Sequence, residues 1–147
     1  MDRATAGYGW VVRICRALVV ALLVLTSVGC SRSDVRELGR EAEEAVRDAG
    51  DALNDLVGQA EGPLREAAQD ALDAADEARD ASREFAENPT TETRQALEAA
   101  RRRLDDAGKE LEGLVDQAPA GVRDALQRAL DALTEVRRRI ERQLDES

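Results

Sequence analysis

The sequence predicts an all-α protein in which a duplicated helical hairpin forms an antiparallel four-helix bundle with coiled-coil-like seams, behind a short apolar leader. Three observations predict this fold class. Aromatic residues make up only 2% of the 147 residues, which disfavours a β-sandwich or barrel. Alanine, leucine, arginine and the acids dominate, as they do in long helices. Apolar residues recur at spacings of three and four, between breaks that contain proline or glycine.

Residues 1–29 have the three-part layout of a secretory signal peptide. Three arginines lie within the first sixteen residues, an uncharged apolar run extends from Ala17 to Val28, and the small residue Gly29 precedes Cys30. The run is shorter than the ~20 residues that a membrane-spanning helix needs. We therefore expect cleavage between Gly29 and Cys30, not a permanent transmembrane helix.

The residues Leu25-Thr26-Ser27-Val28-Gly29-Cys30 resemble the lipobox of bacterial lipoproteins. The resemblance covers the leader alone. It implies that the Cys30 sulfur carries a diacylglyceryl group, and that cleavage leaves Cys30, with fatty acyl chains such as palmitate, at the new N-terminus. Many lipoboxes have leucine three residues before the cysteine, where this chain has Ser27. The alternative is ordinary cleavage after Gly29, which would release a soluble protein that begins with Cys30.

A lipid anchor determines where the protein is expected to lie. Each buried methylene contributes ~0.8 kcal/mol, so two or three acyl chains retain a protein stably at a membrane. We expect an exported protein on the outer face of the cell membrane, or on an outer membrane if the cell has one. Residues 30–33 would then be a lipidated tether. The arginine-rich, lysine-poor composition is typical of a GC-rich bacterial genome.

Residues 34–88 are predicted to form the first hairpin. Ser33 and Asp34 can cap its first helix, Glu61-Gly62-Pro63 ends that helix, and Asn88-Pro89 ends the second. One apolar stripe is predicted on each helix. The two stripes comprise Val35, Gly39, Ala42, Val46, Ala49, Leu53, Leu56 and Ala60, followed by Leu64, Ala68, Ala71, Ala75, Ala78, Ser82 and Phe85.

Residues 89–147 are predicted to form the second hairpin. Thr90 and Thr91 can cap its first helix, and Pro119-Ala120-Gly121 is the predicted turn. The stripes comprise Leu97, Ala100, Leu104, Ala107, Leu111, Leu114 and Ala118, followed by Val122, Leu126, Ala129, Leu133, Val136 and Ile140. These side chains are larger than those of the first hairpin, so we expect the second hairpin to be the more stable one.

The two hairpins are related in sequence at an offset of 58 residues. Residues 46–79 and 104–137 align without gaps and share seventeen of thirty-four positions. The matching runs keep their order across a turn, which indicates duplication of a helical hairpin.

Charge is unevenly divided between the hairpins. Residues 34–87 contain seventeen acids and six arginines, whereas residues 89–147 contain thirteen acids and eleven bases. Two clusters of three basic residues are expected at one level of the bundle, near the lipid, and they comprise Arg101, Arg102, Arg103, Arg137, Arg138 and Arg139. They are a candidate membrane-facing patch for anionic headgroups. The alternative is that they pair with the acids of the first hairpin.

Exposed helix faces carry acids four residues before arginines, a spacing that stabilises helices. The predicted pairs are Glu43–Arg47, Glu98–Arg102, Asp124–Arg128 and Glu135–Arg139. These pairs favour solvated helix faces over buried sites.

The residues that catalytic and metal sites require are scarce. Histidine is absent from the chain, and a lipidated Cys30 would leave no free thiol in the mature protein. Nucleophile–base constellations and thiolate or imidazole zinc sites cannot be assembled from such residues. We therefore expect no enzymatic activity, no cofactor and no metal. The net charge of −10 and the lack of stacking aromatics also disfavour nucleic acid.

Two function classes remain. The first is a structural or protein-interaction lipoprotein of the cell envelope, with an envelope protein or the cell wall as partner. In general plan the chain resembles small helical murein lipoproteins, but it lacks their C-terminal lysine, so a covalent wall link is not expected. The alternative is binding of lipid or another apolar ligand by opening of the amphipathic helices.

Overall fold

The structure is a computed structural model that describes residues 32–146. Four α-helices account for nearly all of these residues. The helices are α1 (Arg32–Gln59), α2 (Pro63–Glu87), α3 (Thr91–Gly113) and α4 (Ala120–Asp145), and a short 3₁₀ turn, Val115–Gln117, lies between α3 and α4. No strand occurs within these residues, so the all-α prediction is confirmed. The predicted signal peptide and the cleavage and lipidation site at Cys30 lie outside the described residues.

Neighbouring helices run antiparallel around a ring. α1 lies against α2 and α4, α2 also lies against α3, and the backbones of α3 and α4 make the fewest close approaches among these four neighbouring pairs. The direction follows from ion pairs: Glu43 in the first half of α1 lies 2.6 Å from Arg83 near the end of α2. Here the proximal end is the end where α1 begins and α4 finishes, and the distal end contains the turns at residues 60–62 and 114–119.

Local sequence signals account for most helix ends. Pro63 is the first residue of α2, where its missing N–H costs no helical hydrogen bond, and Gly62 before it has φ 58°, a conformation that glycine adopts readily. The side chain of Thr90 accepts a hydrogen bond from the backbone N–H of Thr93, and the Thr93 hydroxyl accepts one from the Thr90 N–H. This capping box starts α3 at Thr91.

Two predicted boundaries are wrong. Ser33 is helical within α1 (Arg32–Gln59), so it lies inside the helix instead of capping it. α3 ends at Gly113, five residues before the predicted end at Ala118, because glycine is a weak helix former and the 3₁₀ turn follows it. Leu114 is consequently half-buried and not a full member of the predicted stripe.

The predicted stripes lie in one continuous core. Apart from Leu114, each of their residues is buried. The structure adds a second row of buried residues that the stripes omit, comprising Ala45, Ala67, Ala74, Thr93, Ala125, Gln143 and Leu144. Four of these are alanines beside a stripe, and they widen the apolar face toward the neighbouring helix.

Side-chain size sets how closely the helices approach. α2 buries six alanines with Leu64 and Phe85, and its backbone approaches that of α1 more often than α3 approaches α4. The larger Leu, Val and Ile side chains of the second hairpin separate α3 from α4, which is the expected effect of bulk at a helix contact. The greater stability expected of that hairpin stays a prediction, because backbone closeness and buried apolar area are different quantities.

Gly39 lies at a close contact between α1 and α2. A Cβ placed on Gly39 would come 2.6 Å from the Cβ of Ala86 and 3.5 Å from the side-chain nitrogen of Gln143. Real Cβ atoms do not approach each other so closely, so the two helices depend on the missing side chain at this position.

The substitution Gly39→Ala should therefore destabilise the protein by about 1–3 kcal/mol, as over-packing of a core does. Denaturant unfolding monitored by circular dichroism measures the change. The control is Gly50→Ala in the same helix, whose added Cβ would meet only the Leu72 side chain at 3.9 Å. That variant should gain roughly 0.5–1 kcal/mol. Equal effects of the two substitutions would contradict the steric contact.

Candidate interaction surfaces

The six arginines of the predicted membrane-facing patch lie at one level of α3 and α4. Arg101 contacts Glu141 at 3.3 Å, and Arg137 contacts Asp105 at 3.4 Å. Both pairs cross from one helix to the other, so they place the two arginine clusters side by side.

Two members of the patch contact acids of the first hairpin. Arg103 pairs with Glu77 of α2, and Arg139 pairs with Glu41 of α1. These contacts are of the kind that the alternative interpretation of the patch predicts. Arg138 pairs with Glu135 within α4 at 3.1 Å. Five of the six arginines are thus engaged by carboxylates, and their contacts with neighbouring helices tie α3 and α4 into the ring.

Arg139 is the most highly connected of these arginines. Its Nε donates to Glu135 at 2.6 Å, and its Nη1 donates to Glu41. The hydrogen bond from Arg139 lowers the pKa of Glu135, and the bonds to Glu135 and Glu41 raise the pKa of Arg139. The charged form of each group is therefore favoured in the folded protein.

Most of the predicted i, i+4 ion pairs are replaced by other contacts. Glu135–Arg139 forms as predicted. Glu43 instead contacts Arg83 of α2, and Arg128 contacts Asp55 of α1 at 3.2 Å. Residues beside an apolar stripe face the neighbouring helix, so their charged groups meet partners across a seam more readily than along their own helix.

A groove between α1 and α2 at the proximal end presents arginines that the sequence analysis did not single out. We call it the proximal groove; its volume is about 430 Å³, and its lining residues are Arg36, Gly39, Arg40, Glu43, Arg83, Ala86 and Glu87. Arg36 and Arg40 are exposed, and neither forms an ion pair with another residue of the described range. The sequence offered one signal for these residues: two arginines four positions apart, six and ten residues after the predicted lipidation site at Cys30.

A polar pair lies in the core directly beneath the proximal groove. The Ser82 hydroxyl donates to Oε1 of Gln143 at 2.6 Å, and Nε2 of Gln143 donates to the Ser82 carbonyl at 3.0 Å. Both residues have 0% exposure. The pair joins α2 to α4 and satisfies polar atoms that would otherwise be costly to bury.

A second concave surface lies at the distal end. It has a volume of about 420 Å³ and is lined by residues of the two turns and the adjoining helix ends, namely Gln59, Glu61, Pro63, Leu64, Leu114, Gln117, Ala118, Pro119 and Val122. Its walls are mostly apolar, with two amides and one carboxylate among the polar groups. We call it the distal pocket.

Within residues 32–146, no three acidic, histidine or cysteine side chains converge as metal ligands would. In the same range, no helix has both the length and the apolar character required to cross a bilayer.

Gln143→Ala should lower the free energy of unfolding by about 1–3 kcal/mol, because it leaves the buried Ser82 hydroxyl without its partner. Denaturant unfolding measures this loss. The matched control is Gln127→Ala, an exposed glutamine on the same helix, which should change stability by less than about 0.5 kcal/mol. Removal of both partners, Ser82→Ala with Gln143→Leu, should cost less than Gln143→Ala alone. Indistinguishable effects at positions 143 and 127 would argue against the polar pair.

The chain was also compared with known proteins. No protein-family model matches it, and no curated protein or solved structure is significantly similar to it.

Proposed function

We propose that the chain is a bacterial lipoprotein of the cell envelope, anchored through lipid on Cys30, with a structural or protein-interaction role and no catalytic activity. The observation that carries the proposal is the order of the sequence: an apolar leader, the lipobox-like residues Leu25 to Cys30, and then a helical bundle whose first helix begins at Arg32. A lipid at Cys30 would place the bundle directly at the membrane surface.

The anchor places the body on the outer face of the cell membrane, or on an outer membrane where the cell has one. Lipid on Cys30 makes the membrane the first partner, and an envelope protein or the cell wall is the second. The absence of histidine from the chain supports action through contact surfaces over catalysis. The distal pocket is farthest from the anchored end.

The bundle is proposed to have arisen by duplication of a hairpin with heptad-like spacing. The burial pattern supports this, because residues 58 positions apart are buried together, including pairs outside the aligned residues 46–79 and 104–137. Fifteen pairs are buried at both positions: 35 and 93, 39 and 97, 42 and 100, 46 and 104, 49 and 107, 53 and 111, 60 and 118, 64 and 122, 67 and 125, 68 and 126, 71 and 129, 75 and 133, 78 and 136, 82 and 140, and 85 and 143.

Binding of lipid by opening of the bundle is the second candidate. The wide spacing of α3 and α4 supports it, since the ring would open most readily at the seam with the fewest close backbone approaches. The ion pairs Arg101–Glu141 and Arg137–Asp105 cross this seam and oppose opening, which favours the anchored interaction module.

Growth of the producing cells with a labelled fatty acid should label the protein, and Cys30→Ala should abolish the label. The matched control is Cys15→Ala, which removes the other cysteine of the chain and should leave the label unchanged. Label retained on Cys30→Ala would contradict attachment at that sulfur. Purified protein with Cys30→Ala should also fail to bind added phosphatidylcholine liposomes, which carry no net charge; binding to them would favour the opening mechanism instead.

A photo-reactive amino acid at Gln117, on the rim of the distal pocket, should give one recurring crosslinked partner in intact cells. The control position is Gln127, which is exposed on the side of α4 and should give no such product. The crosslinked species are identified by mass spectrometry. The same scatter of products at both positions would contradict a specific interaction role.

A further inference from the structure

The proximal groove presents cations that the rest of the bundle leaves available. Arg36 and Arg40 lie one turn apart on α1, and both are exposed without an ion pair to any residue of the described range. The predicted patch on α3 and α4 differs in this respect, because carboxylates already engage five of its six arginines. Two like charges at this spacing repel each other, and a bound anion would relieve that repulsion.

The walls and floor of the groove suit a small, multiply hydrogen-bonded anion. Gly39 and Ala86 form a closed floor that carries no long side chain, so the groove above them stays open between the arginines. Arg83 lies on the opposite wall, where Glu43 engages its Nε at 2.6 Å and raises its pKa. Glu43 is therefore already compensated, and Glu87 is the one remaining acid among the lining residues. Guanidinium groups match the geometry of phosphate oxygens and donate to them in pairs.

The position of the groove indicates the source of the anion. α1 begins two residues after Cys30, and a rise of 1.5 Å per residue puts Arg36 and Arg40 about 6 and 12 Å along the helix from Arg32. The headgroup regions of a bilayer extend several Å beyond the hydrocarbon core on each side. A body tethered through Cys30 would therefore hold Arg36 beside the lipid phosphates and Arg40 one helical turn farther out, within reach of its long side chain, at a high effective concentration.

We propose that the proximal groove binds the phosphate of an anionic phospholipid headgroup through Arg36 and Arg40, and so docks the bundle on the membrane that anchors it. This inference rests on the proposed lipid anchor. It assigns headgroup contact to residues of the first hairpin, although that hairpin is the more acidic of the two. The arginines of α3 and α4 act in bundle packing instead.

Native mass spectrometry of the full-length protein, purified from membranes in detergent, tests the proposal. Added phosphatidylglycerol should bind in preference to phosphatidylcholine. The double variant Arg36→Gln, Arg40→Gln should reduce phosphatidylglycerol binding about tenfold or more, the scale expected for losing two basic contacts with an anionic lipid. The control is Arg47→Gln, Lys109→Gln, which removes the same charge at exposed positions farther from the proximal end and should retain binding.

Three results would overturn the proposal: equal binding of the two lipids, equal losses in the two double variants, or full competition by inorganic phosphate, which would identify a free-anion site. Thermal unfolding followed by circular dichroism shows that each variant is folded before lipid is added. The intact mass of the same sample reports whether Cys30 carries lipid. Failure of the anchor and failure of the groove are therefore separate outcomes.

Discussion

Close approach of small side chains is the constraint on which this bundle depends. The described chain contains a single aromatic residue, Phe85, and α2 buries mostly alanine, with three more buried alanines on the neighbouring helix α1. An alanine buries little area by itself, so its stabilisation comes from backbones that lie near enough for many weak contacts to form. At Gly39, which lies against Ala86, even one added methyl group would not fit. The wider spacing of α3 and α4 accompanies the larger buried side chains of these two helices.

Ion pairs between neighbouring helices add to the packing of the alanine-rich seams. Glu41, Glu43, Asp55 and Glu77 of the first hairpin each contact an arginine on a neighbouring helix. Individual exposed ion pairs contribute little, but pairs placed at several levels favour one arrangement of neighbours over others. This use of arginine is also relevant to function, because a guanidinium group engaged in a seam is less available to a membrane or a partner. Arg36 and Arg40, near the proximal end of α1, form no ion pair within the described residues.

Three features lie close together in space at the proximal end. Gly39 allows close contact of two helices, Ser82 and Gln143 form the buried polar pair beneath it, and Arg36 and Arg40 line the groove above it. At the proposed repeat offset, Ser82 corresponds to Ile140 and Phe85 to Gln143, so each hairpin has one polar and one apolar residue at these two core positions. Such a pairing favours one register of α2 against α4, since any slip would leave buried polar atoms unsatisfied.

The sequence alone predicts the all-α class, the four helices and nearly every stripe residue. These features depend on helical periodicity and on the breaks at Pro63, Pro89 and Thr90, which are local properties of the chain. The early end of α3 at Gly113 and the burial of Gln143 could not be predicted from the sequence. Whether a glycine ends a helix or a glutamine is buried depends on which residues of the other helices surround it. The same holds for the charges. Sequence spacing pairs Glu43 with Arg47, whereas the folded bundle brings Arg83 to Glu43. Which arginines remain available is decided by contacts between residues forty to a hundred positions apart, and only tertiary structure determines those contacts.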